Sequence, residues 1–173
     1  RGHVIQEGVP VTVSLDFGVS ASKIVTKAAQ SGEVEKTVNR LYLFAFNSDG
    51  SLDSKQLYSE DELQPRDDCL ALSFSMHSGY DKRFYAIANP VSGSGTLTTD
   101  ELAGVATEDE LLALTSTLAE QTNIERSYFL MSGKMESATA DDRIDVSEDG
   151  NIEGMKTCET HHRPLIELER VDA

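Results

Sequence analysis

The sequence has no tryptophan and only two cysteines, four prolines and eleven aromatic residues in 173. The two thiols, Cys69 and Cys158, lie far apart with no partner cysteines nearby. That spacing excludes a zinc framework, which needs paired ligands close in sequence. It leaves two readings open, a disulfide in an oxidising compartment or two buried thiols. Positive charge is scarce: Lys plus Arg number 15 against 30 Asp plus Glu, for a net charge of −15 and a pI near 4.5. Nucleic acid and anionic membrane surfaces are thereby excluded as partners, because both demand clustered cations. No apolar run approaches the ~20 residues that cross a bilayer as a helix. The opening Arg1-Gly2-His3 does not read as a secretory leader, so the sequence fits a cytosolic chain or the mature form of an exported one. The composition, 39% hydrophobic and 26% charged, is that of a folded domain rather than a disordered one.

What is present is β patterning. Val9, Val11, Val13, Leu15 and Phe17 alternate with Pro10, Thr12, Ser14 and Asp16, the signature of a strand with one buried and one wet face. Val38 to Phe46 is apolar on both parities, with Leu41, Leu43 and Ala45 on one and Tyr42, Phe44 and Phe46 on the other. A strand covered on both faces explains that run. Asn47-Ser48-Asp49-Gly50 supplies turn chemistry, and Leu52 to Tyr58 returns as a short strand. Further strands are expected over Leu70–Met76, Arg83–Asn89, Tyr128–Met131 and Leu165–Val171, with a hairpin around Asp149-Gly150. Helical spacing appears only between about 98 and 122. There Thr98-x-x-Glu101 and Thr107-x-x-Glu110 read as capping boxes, and Leu111, Leu114 and Leu118 as one helical face. Strands joined mainly by short turns favour antiparallel pairing. The expectation is an all-β fold with one short helical insertion, a single β-sandwich domain over residues 1–173.

Catalytic chemistry finds no constellation: there is no GxSxG elbow, no phosphate loop and no dinucleotide fingerprint. His77 falls on the polar parity of its strand and reads as a surface imidazole. Cys158-Glu159-Thr160-His161-His162 lacks a second ligand pair at metal spacing and reads as a polar loop. Asn47, Asp49, Gly50 and Asp53 are similar to part of a calcium loop, but Ala45 and Gln56 stand where its first acid and closing Glu belong. A hairpin turn accounts for the same residues. No enzyme, cofactor or metal is expected. Loops 60–68, 91–97 and 133–142 are the candidates for binding, since ligand contacts gather on loops over a rigid scaffold.

Four strings, in order along the chain, resemble one family. GEVEKTVNRLYLFAFNSDGSL (32–52) is similar to the strand and Asp-Gly turn of the fimbrillin superfamily, the type V pilins and pilus-associated proteins of Bacteroides-type bacteria. RFYAIAN (83–89), FLMSG (129–133) and IELERVDA (166–173) resemble that family's Ala-Asn strand, Leu-Met-Ser-Gly string and closing strand of the N-terminal domain. The resemblance implies a transthyretin-like Greek-key sandwich of about seven strands, the N-terminal domain of a longer, two-domain fimbrial subunit or accessory (anchor or tip) protein. It also implies export as a lipoprotein precursor, a place at the cell surface, and assembly with other fimbrial subunits by donor-strand exchange, opened by an arginine-specific protease. Arg1 lies where such processing would fall. On this reading Val9, Val11, Val13, Leu15 and Phe17 lie near the exchange groove, and Leu41, Leu43, Phe44 and Phe46 at the centre of the core. The rival expectation is a surface-exposed sandwich whose loops hold a glycan or a host protein.

Overall fold

The structure, a computed structural model, describes residues 4–19, 38–66, 69–90, 97–116, 130–158 and 162–170. Ten strands and two helices follow in the order β1 (Pro10–Val19), β2 (Arg40–Phe46), β3 (Leu52–Ser59), β4 (Gln64–Arg66), β5 (Cys69–His77), β6 (Arg83–Ala88), α1 (Thr99–Ala103), α2 (Glu108–Ser116), β7 (Met131–Lys134), β8 (Asp145–Val146), β9 (Ile152–Glu153) and β10 (Leu165–Arg170). Eight strands form one sheet in the order β3-β2-β6-β7-β10-β1-β5-β4, and β8 pairs with β9. That sheet folds over on itself into an all-β sandwich, one layer led by β2 and β6 and the other by β1 and β5. Its inner faces share one core, to which β1 gives Val13, Leu15 and Phe17, β2 gives Leu41, Leu43 and Ala45, and β5 gives Leu72, Phe74 and Met76. β3, at one end of the sheet, meets the part of β5 that β4 leaves uncovered, at a seam with no backbone ladder among the described residues: the Tyr58 hydroxyl on β3 donates to the Ser73 carbonyl on β5 at 2.6 Å.

The double-sided apolar pattern of β2 has a physical reason. Its second face, Tyr42, Phe44 and Phe46, forms a separate core with Tyr85 and Ile87 of β6, roofed by Leu97, Leu102, Val105 and Leu111 from the helical segment. The rings of Tyr42 and Phe44 stack at 4.9 Å and those of Phe44 and Phe46 at 6.0 Å. Both capping boxes form. The Thr98 hydroxyl accepts from the Glu101 amide at 3.1 Å while Glu101 accepts from the Thr98 amide at 3.0 Å, and Thr107 and Glu110 reciprocate in the same way. Leu111 is buried and Leu114 packs against this second core; Leu118 lies outside the described residues.

Several expectations need correction. β1 and β10 pair in parallel, Asp16 opposite Leu165 through Val19 opposite Leu168, whereas every other paired strand is antiparallel. Segment 60–68, expected as a loop, holds a 3₁₀ turn over Glu60–Glu62 and the short strand β4. Of the strand expected over Tyr128–Met131, Tyr128 and Phe129 lie outside the described residues; β7 runs from Met131 to Lys134, which removes the first two residues of loop 133–142 from the loop class. Asp16, placed by parity on the wet face, is fully buried.

Candidate functional site

β1 and its surroundings form the first candidate. Val13, Leu15 and Phe17 are fully buried, Val11 packs partly against the same core, and Val9 is half-buried just before the strand. Leu41, Leu43, Phe44 and Phe46 are fully buried too, but they serve two cores: the leucines point into the sandwich and the phenylalanines under the helices. The structure therefore brings β1 and the leucines of β2 together and sets the phenylalanines apart.

The two edges of β1 are unequally occupied. β5 pairs with it from Pro10 to Phe17, while β10 pairs only from Asp16 to Val19. The Asp16 amide donates to the Pro164 carbonyl at 2.7 Å, so the even-numbered amides of β1 face the β10 side. Along Thr12 to Ser14 that side has no ladder partner among the described residues. Pro10 has no amide hydrogen to leave unmet there. The tip of the β8–β9 hairpin leans on this stretch. Gly150, at φ +83°, approaches so closely that a Cβ would sit 2.7 Å from the Thr12 carbonyl oxygen. Where the slot ends, Asp16 is clamped by Arg163, whose Nε donates to Oδ1 at 3.1 Å. Asp16 is 0% exposed, so the guanidinium supplies the charge that permits its burial. Sequence reading missed this pair because its members lie at opposite ends of the chain.

A second candidate is a cleft of about 610 Å³ beside β6 and β7, lined among others by Arg83, Tyr85, Glu108, Lys134 and Asp142. Loop 133–142 supplies part of its wall. At its floor Glu108 accepts from the Tyr85 hydroxyl at 2.5 Å and from Arg83 Nη1 at 2.7 Å. Burial pushes the Glu108 carboxyl up, but the two hydrogen bonds and the charges of Arg83 and Lys134 outweigh it and hold the group below the usual glutamate range. Burial, followed by the neighbouring carboxylate, drives the Tyr85 phenol well above its ordinary value. Glu108 thus does more than open a helix. Loop 60–68 is placed through residue 66, and residues 91–96 of the third loop lie outside the described residues.

The remaining sites read from sequence are also placed. His77 is half-exposed, as expected, and its Nδ1 lies 2.8 Å from Asp53 Oδ1. Cys158 is a buried thiol, whereas the side chain of Cys69 lies outside the described residues. Among the described residues no group of three acidic, His or Cys side chains is arranged to hold a metal ion, and no helix is long and apolar enough to cross a membrane.

A family model for the major fimbrial subunit protein (FimA) matches residues 10–163, from the start of β1 almost to the start of β10. The chain belongs to the FimA family. That family is structural and not enzymatic, and it builds cell-surface appendages, so this chain is a fimbrial component. No curated protein matches it in sequence. Among solved structures, a fimbrial assembly protein from Parabacteroides distasonis superposes with a TM-score of 0.53 at 11% identity, covering 95% of this chain and 54% of that one. A candidate cell adhesion protein from the same species gives 0.52 at 19% identity, covering 95% of this chain and 46% of that one. These likenesses bear on the fold, and the chain spans about half the length of each.

Proposed function

We propose that this FimA-family chain is the N-terminal domain of a longer, exported fimbrial subunit or accessory (anchor or tip) component, which joins its neighbours by strand exchange and contributes to adhesion. The observation that carries this reading is the half-paired edge of β1. A segment from another subunit laid along Thr12 to Ser14, after displacing the β8–β9 tip, would gain ladder hydrogen bonds that the described strands leave unmade. It would also add apolar side chains beside Val11, Val13 and Leu15, each worth about 1.5–3 kcal/mol when buried. A joint of four or five such residues outlasts the ordering cost of association and dissociates very slowly. Nothing in this mechanism needs a cofactor, and the acidic surface keeps monomers soluble until they are processed.

The test is to treat the full-length protein with an arginine-specific protease and run the product on gels without boiling. Ladders of oligomers that collapse only at high temperature are expected, and monomers under all conditions would contradict the proposal. A second reading, a binding module for a glycan or host protein, is favoured by the cleft that loop 133–142 helps to wall. Tyr85 is its one aromatic among the described residues and is already engaged by Glu108, with Lys134 5.8 Å above the ring, which leaves no open face for stacking on a sugar. Hits on a glycan array that vanish in Lys134→Ala would support this second reading, and a blank array would remove it for glycans.

A further inference from the structure

The turn between β2 and β3 and the residue before β6 hold a cluster that fimbrial assembly does not use. Lys82 is a lysine whose side chain is only 5% exposed. Its backbone amide donates to the Ile144 carbonyl at 2.7 Å, and its stem lies over Gly79, where a Cβ would come within 2.8 Å of Lys82 Cε. The Nζ is thereby aimed inward. It donates to Asn47 Oδ1 at 2.6 Å and to Asp53 Oδ2 at 3.2 Å, and the Asp53 side chain is likewise 5% exposed. The Asn47 carboxamide is held from its other end, Nδ2 donating to Ser51 Oγ at 3.0 Å. Asp53 is fixed in turn by the His77 amide at 3.0 Å and the His77 ring at 2.8 Å. Phe46 pairs with Arg83 in the β2–β6 ladder, so Asn47 and Lys82 face each other one step beyond it.

We propose that Lys82 and Asn47 form an intramolecular isopeptide bond, with Asp53 as the proton carrier. In the first step the Lys82 ammonium hands a proton to Asp53 Oδ2, 3.2 Å away, which leaves a neutral amine and a neutral acid. The Lys82 lone pair then attacks Asn47 Cγ, one bond beyond the oxygen that Nζ already touches at 2.6 Å, and holding the two groups together in the fold lowers the entropic cost of the step. The Cγ–Nδ2 bond breaks as the departing nitrogen takes one proton from the attacking nitrogen and the one held by Asp53, and it leaves as an ammonium ion. In sum, one ammonium and one carboxamide become one amide and one ammonium ion. No oxidant, reductant or metal takes part, and Asp53 ends as it began. The product ties the β2–β3 turn to the start of β6 covalently, a staple suited to a module under tension. This inference does not depend on strand exchange.

The test is mass spectrometry of the purified, folded chain. An intact mass one ammonia below that of the sequence is expected, together with a branched peptide joining the Asn47 and Lys82 segments. The branch distinguishes the bond from a succinimide at Asn47, which loses the same mass but stays linear. Lys82→Arg and Asp53→Ala are expected to give the full sequence mass and linear peptides only. Linear Asn47 and Lys82 peptides in full yield from the folded wild-type chain would overturn the proposal, and that result needs no variant to fold. A folded Asp53→Ala variant cross-linked to the wild-type extent would overturn the role given to Asp53.

Discussion

At the scale of single residues, two carboxylates decide how far sequence patterning reaches. Asp16 sits on the polar parity of an alternating strand, and parity alone places it in water. It is buried because Arg163 arrives beside it when β10 docks against β1, and a pairing across nearly the whole chain leaves no local trace. Replacing Arg163 with Met is expected to destabilise the fold by about 3 kcal/mol, near the low end for a broken buried pair because the arginine keeps some solvent contact. Chemical denaturation of the variant against wild type measures it. Glu108 makes a complementary case. Its folded state favours ionisation, so its contribution to stability is fully present above the ordinary glutamate range and is lost as pH falls through its lowered folded value. Glu108→Gln is therefore expected to flatten the acid side of the Tm-versus-pH curve. An acid limb that stays as steep as wild type would mean that other carboxylates govern it. The sequence shows Glu108 as a charged helix start. Its partners Tyr85 and Arg83 come from a strand that only the packed fold brings near.

At the scale of elements, what sequence reveals best is whatever depends on neighbours. Alternation in β1 and β10, the double-sided apolar run of β2 and both capping boxes rest on periodicity and short-range hydrogen bonding, and each forms as read except at Asp16 of β1, which the fold buries. The parallel partnership of β1 with β10 was not legible, because turn chemistry speaks only for strands joined by turns. Nor was β4, whose three residues are too few to carry a period. The helical segment is a lid over Phe44 and Phe46, so its caps bear on the second core as well as on the helices. Thr107→Ala is expected to cost about 1 kcal/mol through the lost cap. Hydrogen exchange should show α2 loosening while the β1 and β5 amides keep their protection. Uniform loosening of the whole chain would show that the lid and the sandwich do not open separately.

At the scale of the whole molecule, the chain is a folded-over sheet of a FimA-family subunit, with its first and last strands side by side in the interior of the strand order. The seam between β3 and β5 is bridged by the hydroxyl of Tyr58 and the carboxylate of Asp53, and the edge of β1 is met by a hairpin tip. Those two places use side chains or a glycine contact where the rest of the sandwich uses backbone ladders. Both border the same sandwich core, but the seam is bridged by side-chain hydrogen bonds whereas the β1 edge is met only by a hairpin tip, so the proposed joint is set there. Hydrogen exchange at the amides of Thr12 and Ser14, compared between monomer and assembled fibre of the full-length protein, tests it most directly. Rapid exchange in the monomer and strong protection in the fibre are predicted; equal exchange in both would contradict a joint along β1.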